Sequence, residues 1–221
     1  MRRRYPDRQP PSIRDFMAFE EHVKGSREGR GLEVPPAWYE LPVFYFSNPA
    51  ALYRHGDEIP KPADTEMLDY ELELAAVVGD DGGLAGFTIM NDWSARDLQL
   101  REMPVGLGPA KGKDFATSLG PELVSADELP PDLDMRAVAR VNGEVRTDSR
   151  TGGMHWSWDE LLAAAARNTP GVQPGDVLGS GTVGRGCILE HGDGRWLQPG
   201  DEVELEVEGI GVLRNRIGRP R

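Results

Sequence analysis

The 221-residue chain carries 25 basic side chains against 37 acidic ones, for a formal net charge of −12. This balance disfavours nucleic acid as a partner, because phosphate binding needs a basic face. No segment approaches the roughly 18 apolar residues of a membrane span, and no apolar run follows the basic start to make a signal peptide. The single cysteine, Cys187, excludes an intrachain disulfide and fits a reducing compartment. We therefore expect a cytoplasmic protein with one main domain.

The first predicted element is a helix over residues 12–23. Ser12 is a suitable N-cap, and Phe16, Phe19 and Val23 recur at spacings that a helix places on one face. Residues 1–11 are polar and proline-rich, and we expect them to form a flexible arm.

Strands predominate in the rest of the chain. Residues 68–79 and 84–90 predict a hairpin around an aspartate- and glycine-rich turn, and Asn142-Gly143 marks the strongest hairpin signal. The alanine-rich segment 158–168 predicts the best helix. Further strands are predicted at 41–46, 177–183, 203–207 and 211–216, with a short helix at 97–102. These elements predict a β-rich α+β fold with a mixed, coiled sheet and few helices.

Two carboxylates stand out inside the first hairpin. Glu71 and Glu73 alternate with apolar residues, so they point to the same face of the predicted strand. Asp92 follows the apolar end of the next strand. Like charges side by side repel, and a hard cation such as Mg²⁺, Mn²⁺ or Ca²⁺ would resolve the conflict. The alternative is a pair of exposed glutamates on an edge strand, and the spacing alone leaves both interpretations open.

Two glycine-rich segments resemble nucleotide-binding motifs without fitting them. Residues 179–184 match G-x-G-x-x-G, but the residues that follow have no helical character, which a dinucleotide-binding fingerprint requires. Residues 106–113 contain no lysine followed by serine or threonine, so they do not form a P-loop. Neither segment indicates a nucleotide site.

Four blocks in order resemble the catalytic domain of the fumarylacetoacetate hydrolase superfamily. They are LDYELE at 68–73, NDWSARDLQ at 91–99, GPAKGKDF at 108–115 and PGDVLGSGT at 174–182. The resemblance extends from about residue 12 to the C-terminus, and it implies that residues 12–221 form one catalytic domain of this fold.

The resemblance also implies the composition of the site. Its metal ligands fall on Glu71, Glu73 and Asp92, with Asp15 as a fourth. Its general base falls on His22, oriented by Glu190, and Lys113 and Gln99 match groups that hold developing negative charge. Substrate-contacting positions fall on Tyr45, Thr182, Met17, Met103 and Arg30. At Met17 and Met103 the family enzyme fumarylacetoacetase carries tyrosines, and Arg30 matches only approximately, so the substrate is expected to differ.

The activity implied by the resemblance is metal-dependent carbon–carbon cleavage of a β-diketo acid through a metal-bound enolate, with water activated by His22. The alternative is an isomerase, tautomerase or decarboxylase of 2-oxo or 2-hydroxy-diene acids in aromatic catabolism. A third reading is a non-catalytic, cation-binding dimer module. We expect Mg²⁺ or Mn²⁺ as the cofactor, with Ca²⁺ as a third candidate, a small oxo acid as the substrate, and a homodimer.

Overall fold

The computed structural model describes residues 1–28 and 31–221. Its strands are β1 (Arg3–Arg4), β2 (Ile13–Phe16), β3 (Phe44–Ser47), β4 (Leu52–Arg54), β5 (Glu58–Lys61), β6 (Leu68–Asp69), β7 (Leu72–Val78), β8 (Leu84–Asp92), β9 (Ser94–Ala95), β10 (Thr117–Leu119), β11 (Glu122–Leu123), β12 (Arg136–Val141), β13 (Glu144–Arg150), β14 (Val177–Gly179), β15 (Glu202–Val207) and β16 (Gly211–Pro220). Its α-helices are α1 (Glu20–Glu28), α2 (Arg96–Glu102), α3 (Trp158–Ala166) and α4 (Ile188–His191). Short 3₁₀ turns lie at Pro36–Tyr39, Pro49–Ala51, Met103–Val105 and Ala126–Glu128.

Two mixed sheets dominate the fold. The larger has the order β3-β2-β14-β7-β8-β10-β4, in which β14 runs parallel to β2 and β10 runs parallel to β4. The smaller has the order β13-β12-β15-β16-β5. One apolar cluster joins them, because side chains of β7 and β8 pack with side chains of β12, β15 and β16. The β-rich α+β prediction with a curled, mixed sheet is confirmed.

Local signals placed most of the elements correctly. The hairpin β7–β8 and the hairpin β12–β13 around Asn142-Gly143 both form. Helix α3 begins after Ser157, whose hydroxyl group accepts a hydrogen bond from the Glu160 amide while the Glu160 carboxylate accepts one from the Ser157 amide. This reciprocal capping box satisfies amides that the first turn leaves free.

The helix predicted over residues 12–23 is wrong in its first half. Residues Ile13–Phe16 form β2, paired with β3 on one side and with β14 on the other, and all four are buried. The helix starts only at Glu20. Burial on both faces of the sheet removes the polar alternation that would have indicated a strand, and the aromatic spacing then mimics a helix.

The first eleven residues are tied to the domain at several points. Arg3–Arg4 pairs antiparallel with β11, and the ring of Tyr5 is buried among apolar side chains of the larger sheet. The division into an arm over 1–11 and a domain over 12–221 stays a prediction. Over residues 1–28 and 31–221, no helix combines the length and the apolar character that crossing a membrane requires.

Candidate metal centre and histidine–glutamate pair

Four carboxylates converge on one face of the larger sheet. Asp15 lies on β2, Glu73 on β7 and Asp92 at the end of β8, while Glu71 immediately precedes β7 and its backbone forms a bridge with Cys187. All four are buried, and one oxygen of each lies within 4.8 Å of the others. The prediction that Glu71 and Glu73 share a face is confirmed, and Asp92 lies with them. The alternative of two exposed glutamates on an edge strand is wrong, because both are buried and β7 lies inside the sheet.

A glycine on the strand between β2 and β7 makes this convergence possible. Gly179 of β14 lies opposite Asp15 on one side and opposite Ala75 on the other. A Cβ atom at Gly179 would overlap Asp15 Oδ1 and would lie 3.0 Å from Glu73 Oε2. Without that atom, the two carboxylates meet across the intervening strand.

The oxygen atoms of this cluster suit a hard divalent cation. Asp15 Oδ1, Glu73 Oε2 and Asp92 Oδ1 are buried, and none of them has a hydrogen-bond partner among the described residues. Buried carboxylate oxygens without partners are costly, and carboxylates are the ligands that Mg²⁺, Mn²⁺ and Ca²⁺ prefer. The four residues therefore fit such an ion, and their role as ligands remains a prediction.

Two buried cations balance part of the charge. Lys113 Nζ lies 2.5 Å from Glu71 Oε2 and also contacts Asp92, and Arg96 Nη2 lies 2.7 Å from Glu71 Oε1. Arg96 also donates from Nε to Asp69 Oδ2 at 2.8 Å. The positive charge is concentrated at Glu71, which leaves Asp15 and Glu73 without a cationic partner among the described residues.

The pKa values follow this uneven distribution. Burial, followed by the charge of Asp92, raises the pKa of Asp15 well above its ordinary value, and burial followed by Asp15 does the same for Glu73. Burial also acts to raise the pKa of Glu71, but Lys113 and Arg96 outweigh it and hold that pKa below its ordinary value. A cation bound near Asp15 and Glu73 would replace protons there.

Tyr45 and Thr182 border the same cluster. The Tyr45 hydroxyl group donates to Asp92 Oδ2 at 2.5 Å, and the Lys113 ammonium lies 5.9 Å from the centre of the Tyr45 ring. The Thr182 hydroxyl group lies 3.5 Å from Glu73 Oε1. Both residues are therefore at the candidate site, as their proposed substrate contacts require.

His22 and Glu190 form a hydrogen-bonded pair beside the carboxylates. His22 Nδ1 and Glu190 Oε2 lie 2.8 Å apart, and both side chains are almost fully buried. Glu190 also accepts hydrogen bonds from the Arg185 amide at 3.0 Å and from the Cys187 thiol at 3.3 Å. Cys187, whose thiol donates to Glu190, forms a backbone bridge with Glu71, and this bridge brings the pair close to the cluster. Glu190 thus fixes the orientation of the ring.

The other predicted site residues lie further out. Gln99 Oε1 accepts a hydrogen bond from Arg96 Nη1 at 3.1 Å, so Gln99 contacts the arginine that supports Glu71. Met17 and Met103 are 47% and 48% exposed, respectively, and Met17 lies against Gly181. Arg30 falls outside the described residues. Their proposed contacts with a substrate stay predictions.

Three residues of the site were not assigned a role from the sequence. They are Arg96, Asp69 and Gly179. Arg96 lies in the block NDWSARDLQ and Asp69 in the block LDYELE, so both are part of the motifs that mark the site. That Arg96 pairs with Glu71 and Asp69 can be seen only in the structure. Cys187 is buried, and burial followed by the nearby carboxylate of Asp69 raises the pKa of its thiol. A nucleophilic role does not suit such a thiol.

Comparisons with known proteins found a matching family model and curated relatives. The family model described as fumarylacetoacetate (FAA) hydrolase C-terminal matches residues 12–218. The oxaloacetate tautomerase YisK of Bacillus subtilis is 32% identical over 193 residues, which cover 81% of this chain and 62% of YisK. The chain thus spans less than two thirds of the length of the curated relatives it matches.

Solved structures share the fold over nearly the whole chain. A 5-carboxymethyl-2-hydroxymuconate delta-isomerase from Mycobacterium smegmatis is 29% identical with a TM-score of 0.73, and the match covers 96% of this chain and 78% of the isomerase. A fumarylpyruvate hydrolase from Pseudomonas aeruginosa, solved with Mn²⁺ and pyruvate, is 22% identical with a TM-score of 0.75. That match covers 97% of this chain and 98% of the hydrolase.

Proposed function

The chain belongs to the fumarylacetoacetate hydrolase family, and we propose that it is a metal-dependent hydrolase that cleaves a carbon–carbon bond in a β-diketo acid of the acylpyruvate type. The observation that carries the proposal is the His22–Glu190 pair, 2.8 Å between Nδ1 and Oε2, next to four buried carboxylates. A structural cation site would need the carboxylates alone. An oriented imidazole beside them supports proton transfer.

The cation would be held by Asp15, Glu71, Glu73 and Asp92. We propose Mg²⁺ or Mn²⁺, with Ca²⁺ as a third candidate, because every donor in the set is a carboxylate oxygen. When bound, the ion would supply a Lewis acid that polarises a carbonyl group of the oxo acid. Tyr45 supports the site by fixing one Asp92 oxygen.

His22 would act as the general base through Nε2. Because Nδ1 faces the Glu190 carboxylate, Glu190 favours the tautomer with the proton on Nδ1, which leaves Nε2 free to accept one. A water molecule would lose its proton to Nε2, and the resulting hydroxide would add to the carbonyl carbon of the acyl group. Such general-base assistance contributes about 10²–10⁴-fold to rate.

The carbon–carbon bond would then break towards the 2-oxo acid fragment. Its electron pair would become an enolate, which needs positive charge nearby before a proton is returned to carbon. The Lys113 ammonium, which is buried beside Tyr45, would provide this positive charge. Gln99 would act indirectly by holding Arg96, and Thr182 would orient a terminal carboxylate of the substrate. The products are a carboxylic acid and a 2-oxo acid.

A tautomerase is the second candidate. It is favoured by the 32% identity to an oxaloacetate tautomerase, and the M. smegmatis isomerase shares the fold. In this reaction the same base would move a proton between carbon and oxygen of a 2-oxo acid, and water would not attack. Isomerisation or decarboxylation of 2-hydroxy-diene acids in aromatic catabolism uses the same group of residues. A cytoplasmic location and a homodimer remain our proposals for the setting of either activity.

The test measures ultraviolet absorbance and products together. Purified protein with Mg²⁺ or Mn²⁺ is given a panel of acylpyruvates, fumarylacetoacetate-like acids and oxaloacetate, and His22→Ala is compared with His55→Ala, which alters an exposed histidine that bonds to backbone groups. Loss of the diketone chromophore with two acid products, abolished by chelator and by His22→Ala alone, supports the hydrolase. Enol–keto conversion without cleavage supports the tautomerase. Metal binding with no turnover supports the non-catalytic module.

A further inference from the structure

Asp69 lies between the two halves of the candidate site. It is the second residue of β6, two positions before Glu71, and it is fully buried. Its side chain is not one of the four clustered carboxylates, and among the described residues it does not contact His22. A buried carboxylate in that position is costly unless donors surround it, so its partners define its role.

One set of partners belongs to the segment that carries Glu190. Asp69 Oδ1 accepts a hydrogen bond from the Ile188 amide at 2.8 Å, and Oδ2 accepts one from the Leu189 amide at 3.1 Å. These are the first two residues of α4, and Glu190 is the third. Asp69 therefore fixes the backbone from which Glu190 reaches His22.

The other partner belongs to the carboxylate cluster. Asp69 Oδ2 also accepts from Arg96 Nε at 2.8 Å, and Arg96 Nη2 lies 2.7 Å from Glu71 Oε1. The contact with Glu71 is an ion pair, because Arg96 Nη2 makes no hydrogen bond of good geometry with the described residues, and the planar guanidinium group keeps its two carboxylate partners beside each other. Glu71 is thus oriented by the same aspartate that orients Glu190.

We propose that Asp69 is a positioning residue that couples the His22–Glu190 pair to the metal-binding carboxylates. The inference rests on the proposed function, because the two halves act together only on a substrate held at the cation. The backbone bridge between Glu71 and Cys187 sets the approximate distance between the halves, and Asp69 sets the orientation of the side chains. Partners of metal ligands commonly change affinity by about 10- to 100-fold when they are removed.

The test variant is Asp69→Asn. The amide keeps the shape but offers one acceptor oxygen to three donors, and its NH₂ group must face at least one of them. The matched control is Asp176→Asn. Asp176 is equally buried and accepts from Ser12 Oγ at 2.7 Å, from Arg14 Nη1 at 3.0 Å and from the Gln173 amide at 2.7 Å. Arg14 points to the opposite face of β2 from Asp15, so this network does not reach the cluster.

Two readouts need no substrate. Mn²⁺ affinity is measured by electron paramagnetic resonance, and the His22 ring is followed by ¹⁵N NMR, with His22→Ala used to assign its signal. We expect Asp69→Asn to weaken Mn²⁺ binding by about 10- to 100-fold and to shift the His22 ring signals, while Asp176→Asn loses thermal stability and changes neither. If only one readout changes in Asp69→Asn, if neither does, or if the control changes equally, the coupling is wrong.

A measurement on the wild-type protein covers the case in which Asp69→Asn does not fold. Mn²⁺ binding at Glu71 should slow hydrogen exchange at the Ile188 and Leu189 amides, because both donate to Asp69. Unchanged exchange at these amides overturns the proposal. None of these readouts depends on turnover. Coupled changes in a protein that turns over no oxo acid would contradict the proposed function alone. Turnover in a protein without the coupled changes would contradict this inference alone.

Discussion

Gly179 and Asp15 are direct neighbours in the parallel pair β14–β2, and the missing side chain of Gly179 is the space into which the Asp15 carboxylate extends. The same space admits Glu73 from the strand on the other side of β14. The carboxylate cluster therefore depends on a residue that contributes no functional group.

Gly179→Ala should abolish or severely weaken divalent-metal binding. The added Cβ would overlap Asp15 Oδ1 and the Met90 methyl group and would lie 3.0 Å from Glu73 Oε2, so the carboxylates must separate. Titration with Mn²⁺, followed by electron paramagnetic resonance, measures the effect. Gly83→Ala is the control, because its Cβ would make ordinary contacts in the β7–β8 turn, at 3.4 Å and beyond. Equal Mn²⁺ affinity in both variants would contradict this account of the cluster.

Glu190→Gln should lower kcat while leaving Mn²⁺ affinity near that of the wild type. The glutamine amide can still contact His22 Nδ1 but no longer stabilises a positively charged imidazole, which general-base catalysis forms. We expect a loss of about 10²-fold or more, measured by steady-state kinetics on whichever oxo acid is turned over. Glu160→Gln, which alters the exposed capping box of α3, should keep full activity. Full activity in Glu190→Gln would show that the negative charge of Glu190 does not assist His22.

Lys113→Gln should destabilise the metal-free protein strongly. Its ammonium group is buried against Glu71 and Asp92, and breaking such a buried pair costs about 3–5 kcal/mol. Lys111→Gln is the control, since Lys111 is 78% exposed and its pairing with Asp114 resembles surface bridges of about 0–1 kcal/mol. Urea denaturation with chelator gives both values. Adding Mn²⁺ should reduce the stability difference between Lys113→Gln and the wild type, because the ion supplies positive charge to the same carboxylates. An unchanged difference would argue against Lys113 and the ion contacting the same carboxylates.

The metal-free protein should lose stability as pH rises. Burial, then neighbouring carboxylates, raise the pKa of Asp15 and of Glu73. The folded state therefore keeps protons that the unfolded chain releases near pH 4, so these groups stabilise at low pH and this contribution is lost as pH rises through their folded pKa values. Asp15→Asn removes one such group, so in chelator its thermal midpoint should rise relative to that of the wild type as pH increases above about 4, where carboxylates of the unfolded chain titrate.

The stabilisation of the protein by Mn²⁺ should have the opposite pH dependence. A bound cation replaces the protons on Asp15 and Glu73, so its stabilising effect should grow as pH rises. Thermal denaturation at matched pH, with chelator or with Mn²⁺, measures it. A wild-type protein whose Mn²⁺-induced shift is the same at low and high pH would show that the two carboxylates are not the groups that the ion displaces.

Local patterns predicted much of the fold correctly. The turn at Asn142-Gly143, the helix after Ser157 and the β7–β8 hairpin depend on backbone preferences within a few residues. Residues Ile13–Phe16 were misassigned because the deciding interaction is pairing with β14, more than 160 residues further along the chain, and a strand buried on both faces shows no period of two.

By itself, the sequence determined that Glu71 and Glu73 share a face, because side chains alternate along every strand. Through its motifs it also predicted which residues bind the cation and catalyse the reaction. Only the tertiary structure decided that Asp15 meets Glu73 over Gly179. The resemblance implied that His22 pairs with Glu190, but the fold is what brings the two together across 168 positions. The order of strands and the packing of buried charge decide those contacts, and both depend on the whole chain closing around one core.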